Sequence, residues 1–149
     1  FYDPEEIERI FSVFTPDIIQ IPINLLDQRF LKTELLEYFK AKNVEIHARS
    51  VFLQGALLLK EGNLPNHLRS LKPILQNIRE ELSKLKMTTL EASIFFLHSN
   101  EMIDKLLIGV TNSFELKECF EASKNKQIPN YDFSYNYLFF WSNRILVNF

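Results

Sequence analysis

Three short strand-like runs, each followed by a segment with helical periodicity, constrain the fold of this chain more than any other feature. The runs span residues 17–22, 44–50 and 105–110. The first and third are mostly apolar, whereas the second alternates apolar and polar residues and ends in the polar pair Arg49 and Ser50. Short runs of this kind are typical of strands buried in a parallel sheet, and amphipathic helices between them indicate an α/β architecture. We therefore predict helix, strand, helix, strand, two helices, strand and helix in that order, followed by a tail. Three strands are few for a self-sufficient parallel sheet.

The segments around the runs carry the signals of helices. Asp3 and Pro4 suit a helix start, Asn43 suits a C-terminal cap, and Thr88 suits the start of a helix over 90–97. Further helices are predicted over 31–42 and 71–86 and after Asn112 or Ser113, while residues 61–70 are polar and predict a long loop. The predicted inward-facing residues are Ile7, Ile10, Phe11 and Phe14, then Leu31, Leu35, Leu36 and Phe39, then Leu71, Ile74, Leu75, Ile78, Leu82 and Leu85, and finally Phe114, Leu116, Cys119 and Phe120.

Composition narrows the class of protein. The length of 149 residues is enough for one domain, and a net charge of −2 argues against a nucleic-acid surface. No apolar run approaches the length of about 18 residues that a membrane span needs, and no signal peptide is recognisable. The single cysteine, Cys119, fits a reducing compartment. We expect a cytoplasmic protein with neither nucleic acid nor a membrane as partner, and a piece of a longer protein because it begins with Phe1.

Polar residues in or after two of the strands are candidates for ligand contacts. Gln20 lies inside an apolar run, where a buried amide needs a partner, either a structural hydrogen bond to a loop or a polar ligand. Arg49 and Ser50 end the second run, and a guanidinium there can clamp a phosphate or can pair with Glu45 or Asp27. His47 follows the strand alternation, which favours a structural role over a catalytic one.

Glycines after the second and third strands favour anion binding, although no complete motif is present. Gly55 allows close approach of the backbone, and residues 108–113 form a strand, a turn and a helix start that offer amides to phosphate. A helix cap alone explains Asn112 and Ser113 equally well. No dinucleotide glycine motif, Walker motif, metal-ligand spacing or nucleophile elbow is found. The carboxylates are spread over helix faces, so we assign no acid–base pair.

Four segments in this order resemble the carboxyl-terminal half of the aldo/keto reductase family: residues 17–27 (DIIQIPINLLD), 47–55 (HARSVFLQG), 90–97 and 108–118 (IGVTNSFELKE). That family is a (β/α)8 barrel. The resemblance implies a partial (β/α)8 TIM barrel, its C-terminal half with three parallel strands and flanking helices. The runs become the sixth, seventh and eighth strands, with residues 1–124 as the half-barrel and 125–149 as a C-terminal tail.

The resemblance also implies a cofactor site for NADP or NAD. Gln20 matches a glutamine that bonds the nicotinamide carboxamide, and Arg49 stands where many members have a tyrosine that stacks on the nicotinamide. Glu115 falls where many members have a basic residue for the 2′-phosphate, which leaves NAD possible. The remaining matched residues are Ser50, Phe52, Gln54 and Gly55 along the pyrophosphate, Gly109, Val110 and Thr111 near the adenosine 2′ position, and Glu118 at the adenine, beside Cys119 in place of an asparagine.

The catalytic tetrad of the family belongs to the first half of the barrel and has no counterpart here. The resemblance therefore implies a fragment of an NAD(P)-dependent enzyme that reduces small carbonyl substrates, inactive by itself. The tail matches the segment that shapes the substrate pocket, where Phe139, Phe140 and Trp141 could line the pocket or simply pack. The alternative is a non-catalytic half-barrel that pairs with itself or with a partner chain. Unpaired strand edges favour self-association in either case.

Overall fold

A computed structural model describes residues 4–124 of the chain, and the tail over 125–149 lies outside the described residues. The described part alternates helices and strands in the predicted order, and two 3₁₀ helices, Glu61–Asn63 and Asn66–Leu71, occupy the region predicted as a long loop. A third, Arg29–Lys32, precedes the second helix. The main elements are α1 Pro4–Phe11, β1 Ile18–Pro22, α2 Leu35–Ala41, β2 Glu45–Arg49, α3 Lys72–Lys84, α4 Thr89–His98, β3 Lys105–Leu106 and α5 Ser113–Lys124.

The three strands form one open parallel sheet in the order β1-β2-β3, which confirms the α/β prediction and is consistent with a partial barrel. Ile19 pairs with Ile46, and Gln20 pairs with His47. Side chains alternate between the two faces of a strand, so Ile19 and Ile46 share one face. That face is buried against the helices, where it packs with Phe39 of α2 and Leu97 of α4.

The third strand is shorter and more exposed than predicted. Only Lys105–Leu106 pair with β2, although the Leu107 amide also donates to the Ala48 carbonyl at 2.8 Å. Leu107 and Val110 are exposed, so the prediction of a buried strand over 105–110 is wrong for most of its length. The physical reason is that β3 is an edge strand among residues 4–124, where nothing pairs with its outer side.

Two of the predicted helix faces are only partly buried. In α1, Ile7 and Phe11 are buried as predicted, but Ile10 is exposed, and the helix ends at Phe11 and leaves Phe14 exposed. In α5, Cys119 is buried as predicted. Three other predicted inward residues of α5 are exposed instead: Phe114, Leu116 and Phe120. The sequence shows that apolar residues recur at helical spacing in α1 and α5. Whether a neighbouring element covers these side chains cannot be inferred from that spacing.

Two helix ends follow the chemistry predicted for them, while the predicted cap Asp3 lies outside the described residues. Asn43 follows α2 with φ of +58°, a left-handed conformation that asparagine tolerates. Thr88 begins α4 with a capping box, in which its hydroxyl accepts from the Glu91 amide and the Glu91 carboxylate accepts from the Thr88 amide. Among the described residues, no helix combines the length and the apolar character needed to cross a membrane.

A second apolar cluster lies under α3 and packs on the loops that follow β1 and β2. Leu75, Ile78 and Leu82 of α3 supply its buried stripe, as predicted. Leu26, after β1, and Leu57, after β2, belong to the same cluster. This packing ties the loops at the carboxyl ends of two strands to a rigid helix.

One carboxylate joins three elements at the opposite end of the sheet. Asp104 accepts from the Ile46 amide of β2 at 2.7 Å and from Lys40 Nζ of α2 at 2.5 and 2.6 Å. The Asp104 amide in turn donates to the Ile46 carbonyl at 2.9 Å. The bond from the Ile46 amide, and then the Lys40 ammonium, hold the pKa of Asp104 below its ordinary value.

We expect Asp104→Asn to lower the free energy of unfolding by about 1 kcal/mol at pH 7, because a charge-assisted bond becomes neutral. A lowered folded pKa stabilises the protein above the unfolded pKa, and that stability is lost as pH falls through the folded pKa. The difference in free energy of unfolding between Asp104→Asn and the unaltered chain should therefore shrink as pH falls below 3.8, the ordinary pKa of an aspartate carboxyl.

Urea denaturation of the full chain across acid pH measures both effects. Glu121→Gln is the matched control, because Glu121 pairs with Lys124 and both side chains are more than half exposed. An Asp104→Asn difference that stays constant from neutral to strongly acid pH would contradict the role of the carboxylate.

Candidate functional site

The loops that follow the three strands lie together at the edge of the sheet formed by the carboxyl ends of the strands. Because the strands are parallel, their carboxyl ends point the same way, and in such sheets ligands bind beyond those ends. The loops begin after Pro22, Arg49 and Leu106. They contain most of the candidate residues, so the fold gathers segments that are far apart in the sequence.

Asn24 joins the loop after β1 to the loop after β2. Its side-chain amide donates to the Ser50 carbonyl at 3.1 Å, and its side-chain oxygen accepts from the Leu26 and Asp27 amides, both at 2.9 Å. The residue is buried, so each of these polar groups needs a partner. Asn24 therefore positions Ser50. The sequence offered little to single it out, since asparagine is common in loops.

The face of the sheet opposite to Ile19 and Ile46, which we call the open face, carries two of the candidate residues. Gln20 and Arg49 share this face, because Gln20 pairs with His47 and Arg49 lies two residues further along β2. Gln20 is exposed, so the prediction of a buried amide is wrong. The reason is the pleat, which turns the neighbouring Ile19 and Ile21 to the helices and turns Gln20 to the uncovered face.

Arg49 is half-buried, and its guanidinium donates to the Ser50 hydroxyl at 3.4 Å. The two carboxylates considered as its partners form strong bonds elsewhere. Asp27 accepts from Arg29 through both of its oxygens, at 2.9 and 3.1 Å. Glu45 bonds Lys105 and His47. Arg49 lies at the end of β2, beside the hydroxyl of Ser50.

Glu45 is the centre of a charged cluster on the open face. Its carboxylate lies 2.5 Å from Lys105 Nζ and 2.7 Å from His47 Nε2. These bonds, that to Lys105 first, hold the pKa of Glu45 below its ordinary value. His47 is buried, and its Nδ1 has no hydrogen-bond partner in the part of the chain that the structure describes. The cluster lies towards the starts of β2 and β3, away from the loops at the carboxyl ends.

The turn after β2 holds a run of left-handed backbone. Ser50 has φ of +58°, and Leu53, Gln54 and Gly55 follow with +48°, +52° and +86°. Such angles cost a non-glycine residue about 1–2 kcal/mol. A Cβ on Gly55 would meet no atom within 4 Å, so glycine is required for its backbone angle and not for space. Strained backbone of this kind concentrates at functional loops.

The turn after β3 is closed by its own side chains. Asn112 accepts from the Phe114 and Glu115 amides, each at 3.0 Å, and so caps α5 as predicted. Glu115 reaches back to accept from the Thr111 amide at 2.7 Å and from the Thr111 hydroxyl at 3.0 Å. The bond from the Thr111 amide, and then that from its hydroxyl, lower the pKa of Glu115, so a fixed negative charge stands at this turn.

The remaining candidates are divided between core and surface. Phe52 is half-buried and packs beside Ile108 against a cluster that contains Cys119. Burial raises the pKa of the Cys119 thiol. The other candidates of the third strand and last helix are exposed: Gly109, Val110, Thr111 and Glu118.

We expect Gln54→Gly to raise the free energy of unfolding by about 0.5–1 kcal/mol, because the relief of left-handed strain exceeds the added freedom of the unfolded chain. Gly55→Ala should lower it by about 1 kcal/mol for the converse reason. Urea denaturation measures both. Glu80→Gly is the control, since Glu80 is exposed in the middle of α3 and glycine there should destabilise by about 1 kcal/mol. A lower free energy of unfolding for Gln54→Gly would contradict the inference that the backbone at residue 54 is strained.

Comparison with known proteins agrees with this geometry. Residues 1–136 match the family model of the aldo/keto reductase family, which covers most of the chain. Comparison with individual curated proteins gave no significant match. The family implies a TIM barrel, an oxidoreductase type of function, a nicotinamide cofactor and a carbonyl substrate. With its parallel strands and its loops gathered at one edge of the sheet, this chain belongs to the aldo/keto reductase family.

Proposed function

We propose that residues 1–124 form the carboxyl-terminal half of an aldo/keto reductase barrel and hold one side of a nicotinamide dinucleotide. The observation that carries the proposal is the common position of the candidate loops at the carboxyl ends of three parallel strands. Barrels of this class bind phosphate with the loops after strands seven and eight, which β2 and β3 would be. The whole enzyme would transfer hydride between the cofactor and a small carbonyl or alcohol.

The open face of the sheet suits the nicotinamide end of the cofactor. Gln20 presents an exposed amide there, which can both donate to and accept from a carboxamide. Arg49 lies on the same face, and its planar guanidinium can stack on a ring. Beyond it, Asn24 holds the Ser50 carbonyl in place. The strained turn over 53–55 would then follow the pyrophosphate, where glycine permits close approach.

The turn after β3 suits NAD better than NADP. The Glu115 carboxylate already accepts hydrogen bonds from the Thr111 amide and hydroxyl. A 2′-phosphate would otherwise accept hydrogen bonds from these two donors. A glutamate carboxylate is ionised at neutral pH, and these bonds lower its pKa further, so it would repel a phosphate. A ribose 2′-hydroxyl could instead donate to this carboxylate. The residues present therefore fit a dinucleotide without the 2′-phosphate.

The chemistry of the whole enzyme needs groups that these residues do not supply. The cofactor provides the hydride, and a positioned acid must protonate the carbonyl oxygen as the hydride arrives. No residue of the sequence matches the tetrad that does this in the family. We infer that the chain by itself binds cofactor but does not reduce a carbonyl. Its single cysteine fits a cytoplasmic location.

The test is calorimetric titration of the 149-residue chain with NADH and with NADPH. We expect NADH to bind more tightly by about tenfold, because the Glu115 carboxylate repels the 2′-phosphate of NADPH. Glu115→Gln removes the charge and keeps an oxygen that can accept from Thr111. It should therefore narrow the difference in affinity between NADH and NADPH. Glu121→Gln, at the far end of α5, is the matched control and should leave the difference unchanged.

Two results would contradict this proposal. If neither dinucleotide binds the unaltered chain at millimolar concentration, the chain does not hold one side of the cofactor site. If Glu121→Gln narrows the preference as much as Glu115→Gln, net charge and not the turn after β3 sets cofactor choice.

The alternative function is a non-catalytic half-barrel that pairs with itself or with a partner chain. The exposed apolar side chains of α5 favour it, because Phe114, Leu116 and Phe120 are 67%, 58% and 59% exposed. Such residues often mark protein interfaces.

Under this alternative, sedimentation velocity should show dimers whose share rises with concentration, and Phe114→Lys should weaken them. Val13→Lys is the control, since Val13 is also strongly exposed but lies after α1. A concentration-independent monomer would eliminate self-pairing.

A further inference from the structure

Arg79 of α3 bonds the far end of the loop that follows β2, which spans residues 50–60. Its Nη2 donates to the Leu57 carbonyl at 3.4 Å and to the Leu59 carbonyl at 2.5 Å. Arg79 is half-buried, and a hydrogen bond is stronger in such surroundings than in open water. Two carbonyls of the loop therefore share one cationic donor that belongs to a helix.

A second side chain holds the start of the same loop. Asn24, which is buried in the loop after β1, donates to the Ser50 carbonyl at 3.1 Å. Between these two ends, Leu53 and Leu57 are buried in the apolar cluster under α3. The loop after β2 is thus held at its start, its middle and its end by parts of the chain that lie outside it.

The backbone of this loop needs such restraint. Residues 53–55 are all left-handed, and a non-glycine residue adopts this conformation only at a cost in free energy. Conformations of this kind persist where the surrounding structure over-determines them. The Leu57 amide closes the strained turn by donating to the Phe52 carbonyl at 3.2 Å. Arg79 bonds the carbonyl of the same Leu57, so it acts directly beside the strained turn.

The guanidinium adds a restraint that apolar packing does not supply. Apolar contacts have no preferred direction, whereas a hydrogen bond to a carbonyl restrains the orientation of its peptide group. α3 carries none of the candidate cofactor residues. Arg79 would therefore affect a ligand through the shape of the loop and not through a contact of its own.

We propose that Arg79 is a positioning residue of the cofactor site, which holds the loop after β2 in its binding conformation before the dinucleotide binds. The inference rests on the proposed function, in which Gln54 and Gly55 follow the pyrophosphate. Ordering a loop at the moment of binding lowers affinity, and a loop that is already ordered avoids this loss. Loss of the guanidinium should therefore weaken cofactor binding.

Hydrogen exchange of the 149-residue chain without cofactor tests the restraint itself. Arg79→Met keeps an aliphatic side chain and removes both hydrogen bonds. We expect the amides of Leu53 and Leu57 to exchange about tenfold faster in this variant, because the loop opens more readily. The Asp104 amide, which bonds the Ile46 carbonyl of β2, should keep its exchange rate and so show that the sheet still folds.

Calorimetric titration with NADH tests the consequence for the cofactor. Arg79→Met should bind NADH about tenfold more weakly, because the loop is fully ordered only in the complex. Saturating NADH should bring exchange at Leu53 and Leu57 to the rate of the unaltered chain with NADH. Arg79→Lys keeps a charged donor and should recover part of the affinity. Arg69→Met is the matched control, since it removes the same charge from an exposed side chain before α3 and should change neither quantity.

The outcomes separate this inference from the proposed function. If the unaltered chain binds NADH and Arg79→Met binds it equally well, the proposed function stands and Arg79 is not a positioning residue. Equal exchange at Leu53 and Leu57 in the two chains would overturn the inference whether or not NADH binds. Equal weakening by Arg69→Met would assign the effect to net charge. If the unaltered chain does not bind NADH, the proposed function is wrong, and the cofactor role of Arg79 is wrong with it.

Discussion

The pairing of β2 on both of its edges is the interaction on which the rest of this structure depends. β2 bonds β1 on one side and β3 on the other, and its buried Ile46 and Ala48 anchor the main apolar cluster. Parallel pairing of these strands also fixes where each following loop begins. The loops after β1, β2 and β3 therefore share one edge of the sheet, although they lie far apart in the sequence.

The two faces of the sheet differ in what covers them. Helices cover the face of Ile19 and Ile46, whereas the opposite face carries Gln20, the Glu45 cluster and Arg49. In a complete barrel this second face would look inward, where polar groups meet cofactor or the opposite strands. His47 lies on this second face, and its Nδ1 has no hydrogen-bond partner among the described residues. The family has a barrel fold, and an open sheet of three parallel strands is consistent with part of such a barrel.

Much of the fold could be predicted from sequence because its signals are local. The capping box at Thr88, the left-handed Asn43 and the α3 stripe all depend on residues within one or two helical turns, and all are found. The errors share one cause. The burial of Gln20 and of residues 107–110 depends on whether another element covers that face or edge, and apolar neighbours in the sequence do not decide this. The site residues were assigned by resemblance, and their roles stay predictions.

The sequence by itself determined the class of fold and the order of its elements, since alternation of short strand-like runs and helical stripes leaves few architectures. The family came from the resemblance of four segments, which the family model matches. Only the tertiary structure decided which polar groups are already engaged. Asn24 binds the Ser50 carbonyl, and Glu115 closes the turn at Thr111, through contacts that depend on three-dimensional loop geometry. The strain over Leu53–Gln54 is likewise invisible in the sequence, because neither residue type favours a left-handed backbone. Hydrogen bonds and backbone angles of this kind are set by packing between elements, which no local pattern encodes.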